Sequence, residues 1–153
     1  MPSFRTTRRV RHSASAMFDL VADVERYPEF VPLCQALRVR RHASAPNGAQ
    51  IVIAEMEIGY KAIRERFTSR VTLDRAALKI IVEYIDGPFS HMQNVWTFLD
   101  DGPAASTVEF FIDYQFRSRI LGALMGSMFD TAFRRFTAAF EARADILDPK
   151  PAG

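Results

Sequence analysis

Few side chains in this sequence have the type and spacing that catalysis or metal binding requires. The three histidines, His12, His42 and His91, lie in different segments, and none has another histidine, a cysteine or an aspartate at metal-ligand spacing. The sequence also contains no Gly-x-Ser-x-Gly elbow, no glycine-rich phosphate loop and no His-Glu-x-x-His motif. We therefore interpret the histidines as solvated or locally bonded, and we predict a protein that is not an enzyme and holds no metal ion.

One pair of carboxylates has a spacing that acid–base chemistry uses. Glu55 and Glu57 would share one face of a strand, while Met56 and Ile58 would point to the other face. Because the neighbours are apolar, we interpret the glutamate side as the solvated face of the strand. A catalytic carboxylate pair is the alternative.

Large apolar side chains are a stronger signal. The chain has 13 phenylalanines, four tyrosines and one tryptophan in 153 residues, which is more aromatic bulk than a small core usually needs. Two alternating sets fall on single strand faces: Met92, Asn94, Trp96 and Phe98 on one predicted strand, and Phe110, Ile112, Tyr114 and Phe116 on the next. Most of these side chains must form the core. Their bulk, together with adaptable methionines, predicts an apolar cavity as well.

The predicted site is the wall of this cavity, between a sheet and the C-terminal helix. It comprises Tyr27, Phe30, Phe67, Tyr84, Phe89, Met92, Trp96, Phe110, Tyr114, Met125, Met128, Phe129 and Phe133. The candidates for orienting a ligand headgroup are Tyr60, Arg64 and Asn94. Gly122 and Gly126 indicate either close packing or a loosened first turn of the helix, which would admit a ligand and let Ile120 and Leu124 touch a membrane.

Arginines account for 17 of the 20 cationic side chains, although the formal net charge is only +2. So small a charge excludes a protein that binds nucleic acid through bulk charge, and no DNA partner is expected. The arginines group on strand faces: Arg5, Arg9 and Arg11, then Arg38 and Arg40, then Arg64, Arg66 and Arg70. Two interpretations stay open, a solvated face balanced by glutamates or a basic patch for anionic lipid or ribosomal RNA.

The elements that must position these residues follow from periodicity and turn signals. A strand is predicted over 4–12, then a helix that Ser13 or Ser15 caps and Pro28 ends, and a short helical turn at about 29–33. Six more strands are predicted over 37–42, 49–58, 60–73, 78–85, 91–99 and 106–117. A long helix over 120 to about 147 carries an apolar stripe of Phe129, Phe133, Phe136 and Phe140.

These elements predict an α+β fold in which a curved antiparallel sheet of about seven strands wraps around the long C-terminal helix, with one or two short helices after the first strand. They form one domain over 1–148, followed by a flexible tail over 149–153. The N-terminus lacks the apolar run of a signal peptide, and no segment is long enough to span a bilayer. The single cysteine, Cys34, fits a reducing compartment. A cytoplasmic protein is therefore expected, and a peripheral contact with the inner face of the membrane stays open.

The order of elements resembles the helix-grip fold of the START lipid-transfer and polyketide-cyclase superfamily. Residues 18–32 resemble the "DVExYPxFxP" segment of the coenzyme Q-binding protein family. Gly87-Pro88-Phe89, followed by residues 94–98, resembles that family's "DGPF…W.F" hairpin, and residues 132–144 are similar to its closing helix. The similarity covers residues 3–147, and the first two segments together are its most specific part.

The resemblance implies a non-enzymatic protein that binds ubiquinone or a related isoprenoid lipid as a chaperone or carrier supporting respiration, with no cofactor besides that lipid. A bacterial branch of the family acts instead as a ribosome-association toxin on the large ribosomal subunit, and the motifs found here are common to both branches. A polyketide cyclase or aromatase-like enzyme that uses the same cavity is the third alternative, and fold analogy alone supports it.

Overall fold

A computed structural model describes residues 3–60 and 62–147 of the chain, without the side chain of Tyr60; the predicted tail over 149–153 lies outside this range. The elements are β1 (Ser3–Val10), α1 (Ala14–Ala22), a 3-10 helix (Val24–Glu29), β2 (Cys34–Ser44), β3 (Gln50–Tyr60), β4 (Ile63–Asp74), β5 (Lys79–Asp86), β6 (Phe89–Asp100), β7 (Ser106–Phe116) and α2 (Arg119–Leu147). The seven strands form one antiparallel sheet in the order β1-β7-β6-β5-β4-β3-β2. The predicted α+β fold, an antiparallel sheet of seven strands with a long C-terminal helix, is confirmed.

Alternation along the strands gives the sheet one buried inner face and one outer face. In β6 every second residue from Met92 to Phe98 is buried, and in β7 every second residue from Ser106 to Tyr114 is buried.

Tight turns join β2 through β7 in sequence. Gly87 has φ +142°, and a Cβ atom there would lie 2.6 Å from the Cβ atom of Phe67, so only glycine fits this turn.

The first strand joins the sheet at its far edge. β1 pairs with β7, from Ser3 opposite Asp113 to Val10 opposite Ser106. The prediction that this strand continues to residue 12 is wrong, because the chain turns inward there. The backbone oxygen of His12 accepts a 2.8 Å hydrogen bond from the Ser106 hydroxyl, and the His12 side chain is buried.

Two helical segments follow β1, in agreement with the prediction. The backbone N–H of Ala16 donates to the Ser13 hydroxyl at 3.1 Å, so Ser13 rather than Ser15 caps α1. The second segment lies at Val24–Glu29 and not at 29–33, and Pro28 is inside it. A single short 3-10 helix tolerates the missing N–H of proline because it has no long ladder of hydrogen bonds to interrupt.

The helix α2 crosses the inner face of the sheet, with Phe129, Phe133 and Phe140 buried and Phe136 half-buried, as the apolar stripe predicts. Its C-terminal end is anchored to other elements by two ion pairs, Arg8 to Glu141 at 2.7 Å and Glu29 to Arg143 at 2.5 Å, and by a 2.6 Å hydrogen bond between His12 and Asp145. Within the described ranges, no ion pair joins residues 119–140 of α2 to another element. None of the helices in the described part of the chain combines the length and the apolar composition of a membrane span.

Candidate functional site

A cavity of about 110 Å³ lies between the inner face of the sheet and α2. The 3-10 helix and the loop after it close one side, and strands β2 to β7 form the floor. Nine of the predicted site residues line it: Tyr27, Phe67, Phe89, Met92, Asn94, Trp96, Tyr114, Phe129 and Phe133. The aromatic sets on β6, β7 and α2 therefore converge on one apolar space.

Two predicted wall residues, Phe30 and Phe110, lie behind the wall because other rings separate them from the cavity. The Phe30 ring packs 5.0 Å from the ring of Phe140, and the Arg143 guanidinium lies over it at 5.1 Å from the ring centre. The Phe110 ring lies 4.8 Å from the ring of Trp96 and 5.8 Å from that of Phe136. Both rings support residues that do reach the cavity.

Tyr84, Met125 and Met128 also lie outside the cavity wall. The Tyr84 hydroxyl accepts a 3.2 Å hydrogen bond from the backbone N–H of Phe89, which holds the ring beside Phe89 instead of in the cavity. Met125 is fully buried and Met128 is half-buried in the core. The α2 residues that line the space are Phe129 and its neighbours at helical spacing.

The three residues predicted to contact a ligand headgroup have different positions relative to the cavity. Asn94 is in the cavity wall. Arg64 is exposed on the outer face of β4, because even-numbered residues of this strand point away from the cavity and odd-numbered ones, such as Phe67 and Ser69, point into it. The side chain of Tyr60 lies outside the described residues.

Sequence reasoning did not assign the remaining residues of the wall to it. They are Val24, Val31, Pro32, Leu33, Leu37, Ala54, Met56, Ile58, Ser69, Val71, Ile80, Val82, Ile112, Phe136 and Phe140. Strand alternation was a usable signal for the members on β3 to β5, since Met56 and Ile58 face away from Glu55. The loop residues Val31 to Leu33 give no periodic signal, and Leu33 has a positive φ of 69°.

The polar groups deepest in the wall are satisfied by the protein itself. The Trp96 indole N–H donates to the Asn94 side-chain oxygen at 3.0 Å, and the Asn94 amide donates to the backbone oxygen of Phe111 at 2.8 Å. The Tyr27 hydroxyl donates to the backbone oxygen of Val21 at 2.5 Å, and burial raises the pKa of this hydroxyl far above its usual value. These groups hold the wall together, and none of the wall residues that the structure describes is charged.

Two hydroxyls of the wall, those of Ser69 and Tyr114, have no hydrogen-bond partner among the residues that the structure describes. Burial, and to a smaller extent the Asp130 carboxylate, raises the pKa of Tyr114. At neutral pH both hydroxyls are therefore neutral donors, and they are the wall groups that remain available to a polar atom of a ligand.

The side chains first considered for catalysis lie away from this wall. His12 and His91 bond to Asp145 at 2.6 Å and to Asp113 at 3.2 Å, and His42 is exposed on β2. Glu55 lies on the outer face of β3, 2.9 Å from Arg40. Across residues 3–60 and 62–147, no group of three or more His, Cys, Asp or Glu side chains could hold a metal ion.

Replacing Asn94 with leucine is expected to lower the free energy of unfolding by about 1–3 kcal/mol, because the Trp96 N–H would stay buried without its acceptor. Urea unfolding followed by circular dichroism measures the change. Ser69→Ala is the control, since its hydroxyl has no partner within the described chain, and it should change stability by less than about 0.5 kcal/mol. Equal effects of the two substitutions would contradict the assigned role of Asn94.

The Cys34 thiol is expected to resist alkylation in the folded protein, because burial raises its pKa to about 12 and the thiolate is the reactive form. The pKa of a thiol in an unfolded chain is about 8.5, so between about pH 8.5 and pH 12 the unfolded chain loses a proton that the folded chain keeps. The free energy of unfolding should therefore fall as the pH rises through this window. Labelling rates and urea midpoints at pH 7 to 10 measure both effects, and Cys34→Ser should remove the thiol's share. A native labelling rate equal to that of the unfolded chain would refute the expectation.

Comparison with known proteins gives matches along nearly the whole chain. The family described as "Polyketide cyclase / dehydrase and lipid transport" matches residues 10–141. The ribosome association toxin RatA of Rickettsia prowazekii is 34% identical over 147 residues, which cover 94% of this chain and 97% of that protein. The mitochondrial coenzyme Q-binding protein COQ10 homolog B of Xenopus laevis is 31% identical over 136 residues, 86% of this chain and 53% of that protein.

A solved structure agrees with the fold described above. The solution structure of the 18 kDa protein CC1736 from Caulobacter crescentus has a TM-score of 0.79 and 34% sequence identity to this chain. The match covers 98% of this chain and all of that one. The similarity therefore extends over the sheet, the short helices and the long C-terminal helix together.

Proposed function

Because this chain belongs to the START-like family of polyketide cyclase / dehydrase and lipid transport proteins, we propose that it binds an isoprenoid quinone, or a related lipid, in the cavity beneath α2. The proposed role is that of a carrier that catalyses no reaction. The bound lipid, with ubiquinone as the first candidate, is the only small molecule that this role requires.

The observation that carries the proposal is the chemistry of the cavity wall. Apart from the paired groups of Asn94, Trp96 and Tyr27, the described wall offers two unpaired hydroxyls and otherwise apolar surface. Each CH₂ group of an isoprenoid tail that leaves water for such a wall contributes about 0.8 kcal/mol. A quinone also has carbonyl oxygens that can accept hydrogen bonds from Ser69 or Tyr114.

The same wall argues against the cyclase alternative. General acid–base catalysis needs a group that exchanges a proton near the operating pH. In the described wall the titratable side chains are Tyr27 and Tyr114, and the pKa of each is raised. Neither tyrosine is therefore suited to act as a base at neutral pH.

The size of the cavity indicates how a long ligand would enter. An apolar cavity of about 150 Å³ binds one benzene, so a cavity of about 110 Å³ is too small for a quinone ring or an isoprenoid tail unless it enlarges. The first turns of α2 lack ion pairs to other elements in the described chain, and a Cβ atom built at Gly126 meets nothing within 4 Å. Displacement of this end of α2 would enlarge the cavity, and the exposed Ile120 and Leu124 would then face the membrane that supplies the lipid.

Extraction of lipid from the purified protein tests the proposal. The protein is prepared from cells without detergent, extracted with organic solvent, and the extract is analysed by mass spectrometry. We expect a quinone or another isoprenoid lipid in near-stoichiometric amount, and ubiquinone should rebind to the stripped protein. Absence of any isoprenoid lipid, together with no binding on reconstitution, would refute the proposal.

Association with the large ribosomal subunit is a second candidate function. It is favoured by the relatives named as ribosome association toxins, one of which is 34% identical and matches this chain over 97% of its own length. Co-sedimentation of the purified protein with large subunits through a sucrose gradient tests this function. We expect the protein in the subunit fractions, and its confinement to the top of the gradient at low salt would refute this candidate.

A further inference from the structure

The outer face of β2 to β4, on the opposite side of the sheet from the cavity, carries a concentration of arginines. We infer that this face binds the phosphodiester backbone of structured RNA, an inference that rests on the ribosome association proposed above. The arginine surface, as we name it, comprises Arg38, Arg40, Arg41, Arg64, Arg66 and Arg70 with Glu55 and Glu57.

The arginine surface carries a larger positive charge than the whole protein does. Its six arginines and two glutamates carry a formal charge of +4, while the whole chain carries +2. The rest of the chain is therefore net negative, and the acidic residues next to the arginine surface are Asp74 at the end of β4 and Glu83 and Asp86 on β5. Such a distribution orients the protein toward a polyanion through one face, although its bulk charge is small.

Glu55 organises the centre of this surface. One of its carboxylate oxygens lies 2.9 Å from Arg40, 3.8 Å from Arg38 and 3.8 Å from Arg66, so a single acceptor holds guanidinium groups from two flanking strands. The Glu55 side chain is mostly covered, whereas the three arginine side chains are more than half exposed. Since each guanidinium has five N–H donors, most of these donors stay available to a partner.

The residue types favour phosphate groups over bases. Arginine binds phosphate in a bidentate manner. Among the outward-facing side chains that the structure describes on β2 to β4, none is Phe, Tyr or Trp, so the surface has no platform for stacking unpaired bases. An array of exposed donors without stacking groups fits the regular phosphates of an A-form duplex, which proteins recognise by shape and backbone.

A lipid surface is the competing polyanion, and the structure favours RNA. In the described chain, the exposed large hydrophobic side chains that could enter a membrane are Ile85, Leu99, Ile120, Leu124, Ile146 and Leu147, and all lie outside β2 to β4. The cavity and the arginine surface also use opposite faces of β3, since Ala54 and Met56 line the cavity while Glu55 points outward. A bound lipid would therefore leave the arginine surface accessible.

Charge reversal at matched positions tests the inference. The variants Arg38→Glu/Arg40→Glu and Arg66→Glu/Arg70→Glu are compared with Arg134→Glu/Arg135→Glu, which makes the same charge change at exposed positions of α2. Affinity for purified large ribosomal subunits is measured at several salt concentrations. Each β2–β4 variant should bind at least about tenfold more weakly than the wild type, with a salt slope lower by about one for each phosphate that is no longer neutralised. The α2 control should change by less than about threefold.

The possible results distinguish a failure of this inference from a failure of the ribosome association on which it rests. Wild-type protein that does not bind subunits refutes the ribosome association itself. Wild-type binding that the β2–β4 variants keep, or that the α2 control loses equally, refutes the assignment of the surface. Binding to phosphatidylglycerol vesicles that depends on the same arginines, without binding to subunits, would replace RNA by a lipid surface. Circular dichroism checks each fold, and Arg→Gln pairs replace any reversal that does not fold.

Discussion

Phe140→Ala is expected to lower the free energy of unfolding by about 3–5 kcal/mol, the largest stability change that we predict for a single substitution. The Phe140 side chain is 1% exposed, and its ring lies 5.0 Å from Phe30, 5.3 Å from Tyr27 and 5.0 Å from Trp96. It therefore joins α2 to the 3-10 helix and to the sheet at one point. Because Phe140 also lines the cavity, its truncation would remove these ring contacts and enlarge that cavity between the three elements. Urea unfolding followed by circular dichroism measures the loss.

Phe136→Ala provides the control for this prediction, since Phe136 lies one turn earlier on α2 and is only half-buried. Its ring packs against Phe110 of β7 and against Phe133 of α2 itself, so it joins α2 to the sheet alone. We expect this substitution to cost about half as much as Phe140→Ala. A loss below about 1 kcal/mol for Phe140→Ala, or losses of the same size for both, would show that Phe140 is not the main anchor of α2.

Ala54→Phe is expected to weaken lipid binding by more than about tenfold while the protein stays folded. Ala54 is buried on the inner face of β3 and lines the cavity, so a phenyl ring at this position would occupy most of the available space. Overpacking in a full core costs about 1–3 kcal/mol, but here the cavity reduces that cost. Titration with ubiquinone measures binding, and quenching of Trp96, the single tryptophan and itself part of the wall, gives a direct signal.

Ile53→Phe is the matched control because it places the same ring on the same strand, one residue earlier and on the opposite face of the sheet. It should leave lipid binding within about twofold of the wild type. Unchanged binding in Ala54→Phe would show that the ligand does not use this cavity. An equal loss in Ile53→Phe would show that a disturbed β3, and not a filled cavity, weakens binding.

The fold could be predicted from the sequence where a period repeats over many residues. The stripe of Phe129, Phe133, Phe136 and Phe140 determined α2, and alternation determined the strands, because both patterns reflect which side of an element leaves water. Segments without a period were predicted less well. The second helical segment was placed about five residues late, since proline is compatible with a short 3-10 helix as well as with the end of a longer one.

The candidate site was only partly predictable, because a cavity wall and a tightly packed core have the same composition. Trp96 and Phe110 are adjacent rings of the same cluster, yet only Trp96 lines the cavity. The difference depends on how α2 is rotated and how closely it approaches the sheet. Met125 shows the same effect. Helical spacing places it on the inner face of α2, but it does not determine whether the side chain reaches the cavity or is buried in the core beside it.

The pairing of β1 with β7 has a consequence for the order of folding. All other strand neighbours are consecutive in the chain and can form hairpins locally, whereas Val10 meets Ser106 only after β7 exists. Closing so long a loop is entropically unfavourable until the intervening hairpins are in place, so the sheet should grow from β2 toward β7 and receive β1 last. During synthesis the N-terminal strand would therefore remain unpaired until nearly the whole sheet has emerged, and in that interval the open edge of β7 would be available for pairing with another chain.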